Sequence, residues 1–136
     1  MLFIKTEINI LIMDDTEFEK VIEEAIKELP EEFSEKIENV SVTLADWPDA
    51  NQVSVLGNRA DHRLLLGLYQ GTPKTRRGSY GVGGHLPDKI TLFKNPLMMI
   101  SKTRENLIEN IKNTLIHEIA HHFGMSEDQI RDTSIG

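Results

Sequence analysis

The chain has no cysteine among its 136 residues. Disulfides and thiolate metal sites are both excluded, so any bound metal has to be held by imidazole, carboxylate or water. Long apolar runs are also missing, and no segment approaches the roughly 20 apolar residues that cross a bilayer. The N-terminal stretch from Leu2 to Met13 is interrupted by Lys5 and Glu7, and no small-residue cleavage site follows it. It is expected to be a strand, not a secretion signal. Positive charge is scarce: a net charge of −7 argues against nucleic acid or an anionic membrane as partner, because dense positive charge holds both. A phosphate-binding loop is lacking too. Gly71, Gly78, Gly81, Gly83 and Gly84 lie in a glycine-rich stretch without the lysine and serine or threonine of such a loop, and no G-x-G-x-x-G follows a strand. With these classes removed, the length fits one domain spanning residues 1–136, expected in the cytoplasm.

Periodicity organises what remains. Leu2, Ile4, Thr6, Ile8, Ile10 and Ile12 alternate as in a half-buried strand. Asp15-Thr16 with Glu19 resembles a capping box, and Phe18, Val21, Ile22, Ala25, Ile26 and Leu29 then recur at helical spacing until Pro30. Glu23, Glu24 and Glu28 form that helix's solvated face. Val40, Val42 and Leu44 predict a strand that ends in the turn Trp47-Pro48-Asp49, with Trp47 as an anchor at the core edge. Leu64 to Tyr69 and Ile90 to Phe93 predict two further buried strands. The glycine-rich stretch between them, Gly71 to His85, is expected to be a surface loop or lid. After Pro96, Ser101 or Thr103 can cap a long helix whose apolar face is Leu107, Ile108, Ile111, Leu115, Ile116, Ile119 and Phe123. Gly124 supplies a left-handed stop, and Ser126 with Gln129 caps a short terminal helix.

In the last two turns of the long helix stands His117-Glu118-Ile119-Ala120-His121. At 3.6 residues per turn, His117 and His121 project from nearly the same side, with Cβ atoms roughly 5 to 6 Å apart. One ion can reach both. Zinc bonds imidazole nitrogen at about 2.0–2.1 Å and prefers four ligands, which leaves room for a third protein ligand and a water. Glu118 lies about 100° around the helix from His117, at the edge of the metal face, where its carboxylate can take the water's proton without displacing a ligand. The third ligand is open. Gly124 can reverse the chain so that Glu127 folds back towards the metal; Asp128 is its neighbour, and both acids also suit the N-terminus of a terminal helix. His85 or Asp88 is the upstream alternative. His122, directly after His121, is expected to support the site or face solvent instead of ligating. Tyr69 and Tyr80 suit either oxyanion stabilisation or packing. His62 reads as a loop residue, and Lys74, Arg76 and Arg77 as a solvated basic cluster.

The run from His117 to Glu127 resembles the extended signature H-E-x-x-H-x-x-G-x-x-(H or D). More closely, it is similar to a family of small bacterial zincin-like proteins described as minimal or possible zinc metallopeptidases. The likeness extends upstream through Leu65-Leu66-Gly67-Leu68-Tyr69-Gln70-Gly71, Leu86-Pro87-Asp88-Lys89-Ile90-Thr91-Leu92-Phe93 and the helix ending at Leu29-Pro30. It covers residues from about Phe18 to Ile130. The resemblance implies a compact α+β fold with a small sheet packed on the active-site helix and an N-terminal helix. It makes His117 and His121 the zinc ligands and Glu118 the base, and Glu127 occupies the family's aspartate position.

The lead expectation is a zinc-dependent hydrolase of peptide bonds, with a peptide or protein as substrate, in which zinc polarises the carbonyl while metal and Glu118 activate water. The strand Ile90 to Phe93 would pair with the extended substrate backbone. Two other readings stand beside it. One is a non-catalytic binding protein on the same scaffold; the other is metal-dependent RNA processing, suggested by Arg76-Arg77 but opposed by the acidic balance.

Overall fold

The computed structural model describes residues 11–54, 65–71 and 88–125. Along these segments run α1 (Asp15–Lys27), α2 (Glu31–Ile37), β1 (Val40–Ala45), α3 (Ala50–Ser54), β2 (Gly67–Gln70), β3 (Asp88–Phe93), α4 (Lys94–Met99) and α5 (Arg104–His122). The fold is α+β, as the resemblance implies. The N-terminal strand before Leu11, the glycine-rich loop beyond Gly71 and the terminal helix from Ser126 lie outside the described residues. No helix among the described residues is long and apolar enough to cross a membrane.

α1 forms where helical spacing requires it, but its cap is one residue earlier than the sequence pattern suggests. The Asp14 carboxylate accepts from the Glu17 backbone N–H at 2.8 Å, satisfying one of the orphan donors of the first turn. Asp15 is thereby the first helical residue, and Asp15-Thr16 with Glu19 is not the capping pair. Pro30, which ends the α1 pattern, also opens α2: its φ of −57° is already helical, and its carbonyl accepts from Phe33 and Ser34. α5 starts at Thr103, whose hydroxyl accepts from the Asn106 N–H at 3.0 Å. Ser101 has another task. Its hydroxyl donates to the Leu97 carbonyl at 2.7 Å and lies 2.9 Å from the Asn110 amide nitrogen, pinning α4 to α5.

The sheet has the order β1-β3-β2, with β1 parallel and β2 antiparallel to β3 among the described residues. The strand Ile90 to Phe93 therefore lies in the middle with both sides paired, which corrects its expected role as a free edge for substrate. One face of the sheet carries Val42, Leu44, Ile90 and Leu92 against the helices. Phe18, Val21 and Ala25 from α1 meet Leu107, Ile111, Leu115 and Ile119 from α5 in that core, all at 0% exposure. Each large side chain so buried contributes about 1.5–3 kcal/mol. Two aromatic expectations are corrected. Trp47 is 55% exposed instead of anchoring the core edge, and Phe123 is 48% exposed beyond the end of α5, where the Lys36 ammonium lies 5.4 Å from its ring centre.

Candidate functional site

α5 packs its last turns against β2, and the helix stops as the sequence suggests. Gly124 takes φ +68°, the Met125 N–H donates to the Ala120 carbonyl at 2.9 Å and the Gly124 N–H to the His121 carbonyl at 3.3 Å. This pair of bonds is a Schellman stop. It ends the helix directly after the motif, so His117, Glu118 and His121 all sit on regular helix.

His117 and His121 are exposed, their ring centroids 6.4 Å apart and their planes inclined by 30°. The His117 Nδ1 lies 2.9 Å from the Asn113 carbonyl oxygen. A carbonyl only accepts, so Nδ1 carries a proton, and in the neutral ring Nε2 keeps its lone pair for a ligand. That is the tautomer a metal-binding histidine needs, held by a backbone acceptor as in many zinc sites. The donor set fits a cation of zinc's type, since both rings are exposed and stand one helical turn apart with their centroids 6.4 Å from each other.

Among the described residues no third His, Asp or Glu joins the pair. Asp88, one of the upstream candidates, is instead bound to its own neighbours: it accepts from the Tyr69 hydroxyl at 2.7 Å and lies 3.7 Å from the His122 Nε2. Glu127, Asp128 and His85 lie outside the described residues, as do His62, Tyr80, Lys74, Arg76 and Arg77.

Glu118 is the best-defined member of the motif. Its Oε1 accepts from the Tyr69 backbone N–H at 2.9 Å. Phe93 donates its N–H to the Leu66 carbonyl, and the alternation of an antiparallel ladder then turns the backbone groups of Gly67 and Tyr69 away from β3. The Tyr69 N–H meets Glu118 on that outer side. Burial pushes the Glu118 carboxyl above its ordinary range; the Tyr69 hydrogen bond and the charges of His121 and His117 pull it partly back.

Sequence reasoning did not reach the support beneath this carboxylate. The Tyr69 ring stacks on His122, centroids 4.0 Å apart and planes 14° from parallel. A Cβ on Gly71 would lie 3.0 Å from the His122 Cε1, so the ring also fits closely against a residue with no side chain. His122 therefore docks the end of α5 onto β2, consistent with a supporting role, and Tyr69 is committed to Asp88, His122 and Glu118 instead of reaching out as an oxyanion donor. Tyr69 shares a sheet face with Ile90, its partner in the β2–β3 ladder, a relation that no local pattern in the sequence carries.

Over residues 37–136 the chain matches the zincin-like metallopeptidase family, and it belongs to that family. Proteins of this kind generally use zinc. No curated protein matches the chain.

Proposed function

We propose that the protein is a zinc-dependent peptidase in which His117 and His121 hold the metal, Glu127 completes the protein ligands and Glu118 is the general base. The observation that carries this reading is the Glu118 carboxylate held at 2.9 Å by the Tyr69 N–H, on the same helical turn as two imidazoles of which His117 has its ligand tautomer set by Asn113. Bound zinc would supply Lewis acidity, polarising a peptide carbonyl and making water easier to deprotonate. Glu118 then takes the proton from the attacking water as its oxygen bonds to the carbonyl carbon. The same carboxyl returns a proton to the amine nitrogen as the peptide C–N bond breaks. A carboxyl raised by burial is a stronger base than an exposed one, and the Tyr69 bond fixes its direction. An extended substrate would run along the outer side of β2, beside Gly67, in place of the β3 edge.

Glu118→Gln tests the mechanism. The amide oxygen still accepts from Tyr69, so fold and zinc content should stay near normal, while hydrolysis of a mixed peptide library by the zinc-loaded protein should fall by about 10²–10⁴-fold. Equal turnover in wild type and variant, or no cleavage by the zinc-loaded wild type, would defeat the proposal.

A further inference from the structure

On the side of the sheet away from β2, α1 and β1 frame a groove of about 520 Å³. Glu19, Ile22, Glu23 and Ile26 line it from α1, at spacings of three and four residues that put them on one helical face. Val42 and Leu44 line it from β1. Ile26, Val42 and Leu44 are only half-buried, so the groove is partly apolar, and Glu19 and Glu23 stand exposed beside it. Asp15, at the same groove, is paired with the Lys94 ammonium at 2.8 Å, whereas Glu19 and Glu23 have no ion-pair partner among the described residues.

The strand itself can accept a neighbour. Among the described residues β1 pairs only with β3, in an unbroken parallel register from Val40 to Ala45, which leaves a row of backbone N–H and C=O groups on its other side. Natural edges are commonly blunted by lysine, proline or a bulge; the sequence of β1, VSVTLA, has none of these. The charge beside the edge selects what can be added. β1 of a second copy would lay α1 beside α1 and face Glu19 and Glu23 with the same two carboxylates, which repel. A basic strand has the opposite sign, and its spacing fits as well: Glu19 and Glu23 are one turn apart, about 6 Å along the helix, and side chains two residues apart on one face of a strand are about 6.8 Å apart. The hydrocarbon stem of an arginine or lysine can then cover Ile22 or Ile26 while its charged end reaches a glutamate.

We infer that the groove between α1 and β1 is a docking site for an extended, basic segment of a partner protein, which adds to the sheet beside β1 with arginine or lysine at alternate residues facing Glu19 and Glu23. The site lies at the other edge of the sheet from Tyr69 and Glu118, and the inference does not rest on the peptidase reading.

Two short labelled peptides serve as probes: threonine alternating with two arginines and then two valines, and the same peptide with glutamate in place of arginine. Fluorescence anisotropy at low ionic strength should show saturable binding of the arginine peptide to the full chain and none of the glutamate peptide. Glu19→Gln with Glu23→Gln should weaken binding by roughly threefold or more. Glu32→Gln with Glu35→Gln, an exposed pair on α2 outside the groove lining, changes the net charge equally and should leave the affinity unchanged. N-methylation of every second amide removes the donors on one side of the peptide strand, so it should abolish binding in one phase and spare it in the other. Absence of saturable binding, whether the edge is inert or held by a second copy or another part of this chain, would overturn the proposal. So would equal binding of the glutamate peptide, equal losses in the two glutamine pairs, or the same response to both phases of methylation.

Discussion

A methyl group placed on Gly67 probes how tightly β2 is pressed onto α5. The added Cβ would meet the Thr114 Cγ2 at 2.7 Å, the Leu92 Cδ2 at 3.3 Å and the Thr91 carbonyl oxygen at 3.3 Å. The Leu92 contact relieves itself by a small side-chain shift. Thr114 has less freedom, because it is branched at Cβ, buried, and tethered by its hydroxyl to the Asn110 carbonyl. Overpacking of this kind costs about 1–3 kcal/mol, and the lower entropy of the unfolded alanine chain returns roughly 0.4–1 kcal/mol. The net loss for Gly67→Ala should be about 1–2 kcal/mol, or a Tm lower by roughly 3–8 °C for a chain of this size. Thr114→Ser removes the clashing methyl and keeps the hydroxyl bond, at a cost of about 1 kcal/mol on its own. In the double variant the alanine should then cost close to nothing, a coupling of about 1–2 kcal/mol. Urea denaturation followed by far-ultraviolet circular dichroism on the four proteins gives each value. Additive losses, within roughly 0.5 kcal/mol, would refute the close contact between strand and helix on which the position of Glu118 depends.

Two further outcomes follow from the site. Tyr69→Phe removes the hydroxyl that bonds Asp88 while keeping the ring on His122, so it should destabilise the protein by about 1–2 kcal/mol in urea, and Asp88→Asn should cost less in that background than in the wild type; full additivity of the pair would show that the 2.7 Å bond contributes nothing. Burial of Glu118 gives a pH effect in the metal-free chain: its folded value lies above its unfolded one, so the stability it contributes is complete below the ordinary carboxylate range and is lost as pH rises through the raised value. Chelator-treated wild type should lose stability relative to Glu118→Gln as pH rises from the ordinary carboxylate range, about pH 4, and a difference that stays flat or runs the other way would contradict the burial.

The parts of this fold written in local pattern were legible from the sequence. α1 and α5 announce themselves by helical spacing, Gly124 by the left-handed stop that L side chains avoid, and β1 by its alternation. Local signals that serve two elements at once were harder to read. Pro30 ends one helical pattern and begins α2, and Pro96 stands in the first turn of α4, where its missing N–H is not needed; read only as breakers, both hide a helix. Asp14 and Asp15 are chemically equivalent caps, and only backbone geometry chooses Asp14. Strand order lies beyond pattern altogether. Ile90 to Phe93 reads as apolar whether it is an edge or a centre, and it becomes the centre because β1 and β2 both find it in space. For the same reason the motif itself was visible at His117, Glu118 and His121, whereas the bond from Tyr69, 49 positions away from Glu118, and the stack of Tyr69 on His122 were not, since each depends on β2 docking against the last turn of α5.

Zinc uptake by the purified chain bears most directly on the reading of the imidazole pair. Elemental analysis and a competitive chelator titration of wild type, His117→Ala and His121→Ala, each checked as folded by circular dichroism, should find zinc bound in the wild type and lost in both variants, because two ring nitrogens on one helical turn supply its anchoring ligands. A wild type that takes up no zinc, or zinc that stays bound at unchanged affinity when either ring is removed, would contradict it.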